Sequence, residues 1–204
     1  MAEAPLDFSS AQFTIAAQQL RQMPPDEGRE VAFAGRSNAG KSSALNAISN
    51  RRALARVSKT PGRTQQLVVF ELTGTLRLVD LPGYGYAKVP AELQESWRRT
   101  MEAYFQKRRA LAGLILVMDI RHPLRPFDWQ MLDFCAFRKL PVHVLLTKAD
   151  KLKRGRAIQT EREVVQALED AQLPTSVQRF SATSGEGVEQ AREVITSWLL
   201  ARPA

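Results

Sequence analysis

Two glycines and a lysine–serine pair stand in the short segment GRSNAGKS, residues 35–42. Gly35 and Gly40 allow the backbone to wrap an anion with its N–H groups pointing inward. Lys41 can reach the outer phosphates of a nucleotide, and the Ser42 hydroxyl is suited to Mg²⁺. The spacing therefore predicts a phosphate-binding loop. Its predicted contact residues are Gly35, Arg36, Ser37, Asn38, Ala39, Gly40, Lys41 and Ser42.

A second segment, DLPG at residues 80–83, follows an apolar run. Asp80 is expected to hold the Mg²⁺ through a water molecule, and Gly83 lacks a side chain, so that its N–H can approach the terminal phosphate. On its own, the segment is typical of a strand end followed by a turn. With the phosphate loop, it predicts the catalytic side of a triphosphate site, with contacts from Asp80, Leu81, Pro82 and Gly83.

Two further segments, TKAD at 147–150 and SAT at 181–183, concern the base. Guanine presents an N1–H and an N2 amino group side by side, so the carboxylate of Asp150 can accept both hydrogen bonds. Adenine lacks this pair of donors and would leave the acceptor unpaired, which predicts GTP rather than ATP. Lys148 can lie along the base, and the Ala182 N–H can meet the guanine O6. The predicted contacts are Thr147, Lys148, Ala149, Asp150, Phe180, Ser181 and Ala182.

Two threonines are candidates for the remaining Mg²⁺ ligand, since Thr60 and Thr64 both lie in the polar, basic segment SKTPGRTQ. Physical reasoning does not choose between them, because such a segment becomes ordered only around a terminal phosphate. Thr147 stands where related proteins usually have Asn, which predicts that a side-chain amide tying the loops together is missing. The predicted contacts in this part of the chain are Gly62, Arg63, Thr64, Gln65 and Gln66.

Apolar runs alternate with helical patterns along the chain, which predicts a mostly parallel sheet with helices on both faces. The expected fold is a three-layer α/β/α P-loop NTPase with a six-stranded sheet and one antiparallel edge strand. All four segments directly follow predicted strands, where ligands bind in such sheets. The predicted strands are 29–35, 66–72, 75–80, 111–119, 141–147 and 176–182. The predicted helices begin near Lys41 and cover 91–109, 127–139, 157–171 and 185–200.

Composition fits one globular domain. The chain has 204 residues, of which 44% are hydrophobic, and its single cysteine, Cys135, cannot form an internal disulfide. We divide it into an N-terminal extension, 1–28, that packs on a nucleotide-binding domain, 29–204. No segment approaches the roughly 20 apolar residues of a membrane span, and we expect a cytoplasmic monomer with no membrane partner. The net charge of +8 favours polyanions, so we expect a basic cluster to contact RNA.

The segments GRSNAGKSS, TPGRTQ, DLPGYGYAKVP, TKADKL and FSATSGEG resemble the YihA/EngB family of small bacterial GTPases, of the Era-like group in the TRAFAC class. The resemblance runs from about Glu30 to Trp198. It implies a GTPase domain that depends on Mg²⁺, a role in assembly of the large ribosomal subunit with that subunit or its rRNA as partner, and a requirement for normal cell division and septation. The family pattern PGRTQ also favours Thr64 as the Mg²⁺ ligand, with Lys41, Thr64 and Gly83 as the catalytic set.

Hydrolysis is expected to be slow. Many GTPases orient the attacking water with a Gln directly after the glycine of DLPG, but this chain has Tyr84 there. Tyr84 is interpreted as a packing or docking aromatic, with a catalytic role as the alternative. Asn38 stands where some GTPases bind K⁺ beside the phosphates; the alternative is an amide that stabilises the loop.

Two other functions fit parts of the sequence. An RNA-binding module with a purely structural nucleotide site would use the same basic clusters. A P-loop ATPase or kinase would use the same phosphate loop, although Asp150 argues against it. His122 is interpreted as an exposed loop residue, and His143 as a packed or hydrogen-bonded residue of the sheet.

Overall fold

A computed structural model describes residues 6–55, 66–84 and 91–201 of the chain. Its sheet has seven strands in the spatial order β1-β3-β4-β2-β5-β6-β7. The strands are β1 (Gln12–Ala17), β2 (Arg29–Gly35), β3 (Leu67–Thr73), β4 (Leu76–Asp80), β5 (Leu111–Asp119), β6 (Val142–Thr147) and β7 (Thr175–Arg179). Strands β4, β2, β5, β6 and β7 are parallel to their neighbours in this run, whereas β3 is antiparallel to both β4 and β1.

The predicted α/β/α architecture is confirmed, but the sheet has one strand more than the six expected. The extra strand, β1, lies in the N-terminal segment and makes β3 an inner strand of the sheet. Phe13 pairs with Phe70, and Ile15 with Val69. Strand β1 has no continuous apolar run, and most of its residues are exposed or half-buried, so hydrophobic patterning gave no signal for it.

The α-helices among the described residues flank the sheet on both faces. They are α1 (Lys41–Ile48), α2 (Ala91–Lys107), α3 (Pro126–Phe137), α4 (Arg154–Asp170) and α5 (Val188–Leu199). Helix α4 begins at Arg154, three residues before the predicted start, because the first turn of a helix needs no apolar residue and gives no periodic signal. No helix in the described part of the chain is both long enough and apolar enough to cross a bilayer.

Two hydrophobic clusters show how the layers are built. Buried residues of α2, α3 and α4, such as Met101 and Leu168, form one cluster, and buried residues of α1 and α5, such as Leu45 and Ile195, form the other. Strand β5 alternates between them, with Leu114 in the first and Ile115 in the second. This alternation covers both faces of the central strand and leaves only the ends of the strands available for a site.

Candidate nucleotide-binding site

The phosphate loop leaves the carboxyl end of β2 in a conformation that requires its glycines. A Cβ added at Gly35 would lie 2.6 Å from the carbonyl oxygen of Val117, which is closer than real contacts allow. Gly40 has a φ of 98°, a left-handed conformation that glycine adopts without strain. Asn38 is also left-handed, with a φ of 62°, and helix α1 begins at Lys41. The N-terminus of α1 therefore faces the loop, where its exposed N–H groups favour an anion.

Two predicted site residues meet directly at the start of α1. The Lys41 ammonium forms an ion pair with Oδ1 of Asp80, and both side chains are largely buried. Asp80 ends β4, which is a direct neighbour of β2 in the sheet. The sheet topology thus joins the predicted phosphate ligand to the predicted Mg²⁺-side carboxylate.

The DLPG segment lies against the phosphate loop. The Ser37 N–H donates a hydrogen bond of 2.9 Å to the carbonyl oxygen of Tyr84, and Arg36 and Tyr84 form an isolated parallel bridge. A Cβ on Gly83 would lie 3.6 Å from the Ser37 nitrogen, an ordinary contact distance. These contacts hold Gly83 beside the loop that is predicted to bind the phosphates.

Tyr84 itself is buried, with 3% of its surface exposed. Its hydroxyl donates a 2.9 Å hydrogen bond to Oδ1 of Asp128, and its ring lies 5.9 Å from the Phe127 ring. Burial raises the pKa of Tyr84 well above its ordinary value, and burial also raises the pKa of Asp128. Of the two interpretations of Tyr84, this geometry favours the packing residue. Asp128 was not identified from sequence because nothing in helix α3 distinguishes it from a surface acid.

The base-reading segments lie together after β6 and β7. The Ser181 hydroxyl donates a 2.7 Å hydrogen bond to Oδ1 of Asp150, and the Ala149 N–H donates to the Phe180 carbonyl oxygen at 3.2 Å. The hydrogen bond from Ser181, together with the ammonium of Lys151, lowers the pKa of Asp150. Asp150 is therefore held ionised, as an acceptor, in a fixed orientation.

Thr147 ties the base and phosphate loops together through its hydroxyl. Its buried hydroxyl shares its proton between the carbonyl oxygen of Ala39 and that of Met118, the latter at 3.0 Å. The side-chain amide that we expected to be missing is thus replaced by a hydroxyl donor. Sequence reasoning missed this because the distance between Thr147 and Ala39 is set only by the sheet.

Lys148 crosses from the base loop to the phosphate loop. Its ammonium donates to the Asn38 carbonyl oxygen at 2.7 Å and to Oδ2 of Asp119 at 2.9 Å. Burial by itself would raise the pKa of Asp119, but hydrogen bonds from Arg121 and Lys148 outweigh it and hold the pKa well below its ordinary value. Asp119 is a site residue that the sequence analysis missed, although a carboxylate ending a central strand was a usable signal.

These loops border a cleft at the carboxyl edge of the sheet. The phosphate-loop residues Arg36 to Ala39 line this cleft, together with Asp119 and the exposed His122, and Lys148 is the residue of the base loop that reaches it. Thr60, Gly62, Arg63, Thr64 and Gln65 lie outside the described residues, whereas Gln66 directly precedes β3. Among the described residues, no group of three or more His, Cys, Asp and Glu could hold a metal by itself. A metal here would need hydroxyls, water or phosphate as ligands in addition to a carboxylate.

The mostly parallel sheet has a phosphate loop after β2 and, after β6, the TKAD segment that contains Asp150. This arrangement defines the class as a P-loop nucleotide-binding protein. A family model described as "50S ribosome-binding GTPase" matches residues 30–148. The Probable GTP-binding protein EngB of Stenotrophomonas maltophilia is 58% identical over 190 residues, 93% of this chain and 95% of that protein. The protein of the same name from Xanthomonas euvesicatoria is 55% identical over 94% of this chain and 93% of its own length.

A solved structure of a probable GTP-binding protein EngB superposes with a TM-score of 0.68. It is 22% identical and covers 85% of this chain and all of its own, so it supports the fold. The chain belongs to the EngB family of GTP-binding proteins, within the GTPases.

Proposed function

We propose that this GTP-binding protein hydrolyses GTP slowly and acts in the cytoplasm, as a monomer, as a switch in assembly of the large ribosomal subunit. A role in normal cell division and septation is part of the same proposal. Two features support it: the matching family model is described as ribosome-binding, and the chain carries a net charge of +8. A polyanionic partner suits such a surface.

The orientation of Asp150 is the observation that carries the nucleotide part of this proposal. Its Oδ1 is fixed by the Ser181 hydroxyl at 2.7 Å, and its loop is joined to the phosphate loop through Thr147 and Lys148. An ionised acceptor held in this way matches the adjacent N1–H and N2 donors of guanine. Adenine offers no such pair, so GTP and GDP are the nucleotides that we assign to the site.

The phosphate side fits Mg²⁺ by the chemistry of its donors. Ser42 supplies a hydroxyl and Asp80 a carboxylate, both hard oxygen donors of the kind that Mg²⁺ takes together with water and phosphate oxygens. Thr64, outside the described residues, is the third residue that we assign to the ion. When bound, Mg²⁺ would neutralise negative charge on the phosphates. Lys41 would bind the outer phosphates, and Gly83 would offer its N–H to the terminal one.

The burial of Tyr84 supports the slow rate that we propose. The residue after Gly83 directs its side chain to Asp128, inside the protein, and offers no amide to orient a water molecule. A K⁺ ion bound beside Asn38 is the cation that we propose to compensate for the missing amide side chain after Gly83. Single-turnover hydrolysis should then be faster in K⁺ than in Na⁺, and equal rates would remove K⁺ from the proposal.

Co-sedimentation with large ribosomal subunits tests the switch. Wild-type protein, loaded with GDP or with a non-hydrolysable GTP analogue, is compared at two salt concentrations. We expect tighter binding with the analogue and a steep loss of affinity at the higher salt. The variant Asp150→Asn, which should bind neither nucleotide well, serves as the control and should lose the nucleotide dependence.

Equal binding with both nucleotides would contradict the switch and favour an RNA-binding module with a structural nucleotide site. No binding to subunits would contradict the ribosomal role altogether. Competition of GTP binding by ATP at similar concentrations would instead favour a P-loop ATPase.

A further inference from the structure

An exposed aromatic ring stands among basic residues at the edge of the sheet opposite to the nucleotide site. Phe137, the last residue of α3, has 85% of its surface exposed. Basic residues follow it directly in the chain, and others end helix α2 nearby. We call this the Phe137 surface; it consists of Lys107, Arg109, Phe137, Arg138 and Lys139.

Internal contacts hold the two parts of this surface together. A guanidinium nitrogen of Arg138 donates to the carbonyl oxygen of Phe105 in α2, and the rings of Phe105 and Phe134 are stacked with centroids 6.1 Å apart. The carboxyl ends of α2 and α3 are thus fixed side by side. The chain then enters β5 and β6 at their amino ends, where the Leu114 N–H donates to the Pro141 carbonyl oxygen at 2.9 Å.

The charges of the Phe137 surface are only partly neutralised. Arg109 is 86% exposed and lies 3.5 Å from a carboxylate oxygen of Asp26. Lys107 and Lys139 are exposed and make no ion pair with the described residues, although the exposed Asp133 lies one turn before Phe137 in α3. Cations at helix C-termini are favourable without any ligand, so they have a structural explanation. The Phe137 ring has no ring contact with the described residues that would account for its position.

The second strongly exposed phenylalanine provides a comparison. Phe13 in β1 is 60% exposed, but its ring contacts the Phe70 ring edge-on at 6.5 Å. Its exposure is therefore explained by packing on an edge strand. Phe137 makes no such ring contact with the described aromatic residues, and this distinguishes the two positions.

We infer that the Phe137 surface binds unpaired RNA, with a base stacked on Phe137 and the flanking phosphates bound by Lys107 and Lys139. An aromatic face beside cations is the combination that single strands require, because every base has a π-face and every nucleotide a charge. A protein partner would instead need a wider apolar patch around the ring. The inference deepens the ribosomal proposal and rests on it, since it names the chemistry by which the protein would contact rRNA.

Binding of a fluorescent oligouridylate to the full-length protein tests the inference, with inorganic polyphosphate as a probe that has charge but no bases. Phe137→Ala should weaken oligouridylate binding about tenfold and leave polyphosphate binding unchanged. Phe137→Tyr should stay close to wild type because it keeps the ring. The matched control Phe13→Ala, which removes the other exposed ring, should bind both probes as wild type does.

The double variant Lys107→Ala/Lys139→Ala should weaken binding of both probes and reduce the salt dependence of oligouridylate binding. Unchanged RNA binding in Phe137→Ala, or an equal loss in Phe13→Ala, would overturn the inference. So would an equal loss for both probes in Phe137→Ala, or concentration-dependent self-association abolished by that variant. Circular dichroism confirms that each variant is folded.

The failure of this inference can be told apart from failure of the ribosomal role. If wild-type protein binds subunits in a nucleotide-dependent way and Phe137→Ala binds equally well, the surface is wrong and the switch stands. If wild-type protein binds oligouridylate through Phe137 but no subunits, the ribosomal role fails and the surface stands as an RNA site.

Discussion

Charged residues occur at both edges of the sheet, but they are organised in opposite ways. At the amino edge, Glu30 is fully buried and accepts hydrogen bonds from the Tyr104 hydroxyl at 2.8 Å and from Nε and Nη2 of Arg108 at 3.0 Å each. At the carboxyl edge, Asp150 is an exposed residue. Asp80 and Asp119 form ion pairs there with the long side chains of lysines.

We interpret the difference as one between charges that stabilise the fold and charges that are predicted to bind a ligand. Both oxygens of Glu30 are occupied, and Arg108 also donates to the Pro24 carbonyl oxygen at 2.9 Å, so this cluster fixes the N-terminal segment against α2 and has no room for a ligand. Lys41 and Lys148 can exchange a carboxylate or carbonyl oxygen for a phosphate without breaking the core. Burial together with saturated hydrogen bonds thus indicates stability, whereas adjustable pairs at loop ends indicate binding.

The largest effect is expected for a substitution of Arg108, in the buried cluster at the amino edge. Arg108→Ala leaves the carboxylate of Glu30 buried without its main partner, and we expect a loss of about 3–5 kcal/mol in the free energy of unfolding. Urea denaturation measures this. GTP affinity well below the melting temperature should not change, because the cluster lies at the other edge.

The control for Arg108 is Arg98→Ala. Arg98 also contacts two carboxylates, those of Glu95 and Glu102, but on the exposed face of α2. Its loss should lower the free energy of unfolding far less than the loss of Arg108, because water and salt screen an exposed ion pair. If both variants lost the same free energy of unfolding, the distinction between buried and exposed ion pairs would be contradicted.

At the carboxyl edge, Asp150→Asn should act on binding alone. Two hydrogen bonds from guanine to a charged acceptor are lost, and we expect GTP to bind at least about 100-fold more weakly, with unchanged stability. Fluorescent nucleotide titration measures the affinity. Xanthosine triphosphate, which has a carbonyl oxygen in place of the guanine amino group, should bind the variant better than GTP does. A variant that still prefers GTP would show that another group reads the base.

Thr147 joins the two loops and should have an intermediate effect. Thr147→Val removes the hydroxyl from the buried carbonyl oxygens of Ala39 and Met118 while keeping the shape, which should weaken GTP binding by about 1–2 kcal/mol. Thr147→Ser keeps the donor and should bind nearly as wild type does. If Val and Ser at this position bind alike, the hydroxyl does not connect the loops.

The smallest effect concerns His143, a buried residue in the middle of the sheet. Its Nε2 donates to the Gln178 side-chain oxygen at 2.7 Å, and its Nδ1 lies 2.6 Å from the Ser176 hydroxyl. Burial lowers the pKa of His143 below 6.5, although the hydrogen bond to Gln178 opposes this in part. The ring is therefore neutral in the folded protein.

Because the folded pKa is lowered, the stability that the neutral ring contributes is complete above pH 6.5 and is lost as the pH falls below that value. The slope cannot exceed about 1.4 kcal/mol per pH unit for one proton. Urea denaturation between pH 7.5 and 5 should show a steeper decline for wild type than for His143→Gln. If the stability curves of wild type and His143→Gln ran parallel, the decline with falling pH would come from carboxylates and not from His143.

Much of this fold could be predicted from patterning, since β5 and β6 are continuous apolar runs and α2 has helical periodicity. The expected bounds of β5 match the structure. Strand β1 could not be predicted, because Phe13 lies on an exposed edge and its pairing with Phe70 depends on a partner 57 positions away. The loops of the candidate site could be proposed from sequence because glycine, lysine and aspartate have few substitutes in phosphate and guanine binding.

The amino-acid sequence by itself determined the residues that we predict to bind a guanine nucleotide, because that prediction depends on residue type and on short spacings within single loops. Only the tertiary structure decided what surrounds them: the hydroxyl of Thr147 on the phosphate loop, the hydrogen bond from Tyr84 to Asp128, and the position of Asp119 beside Lys148. These contacts join residues 29 to 108 positions apart in the chain. Their distances follow from strand order and helix packing, and no local pattern encodes either.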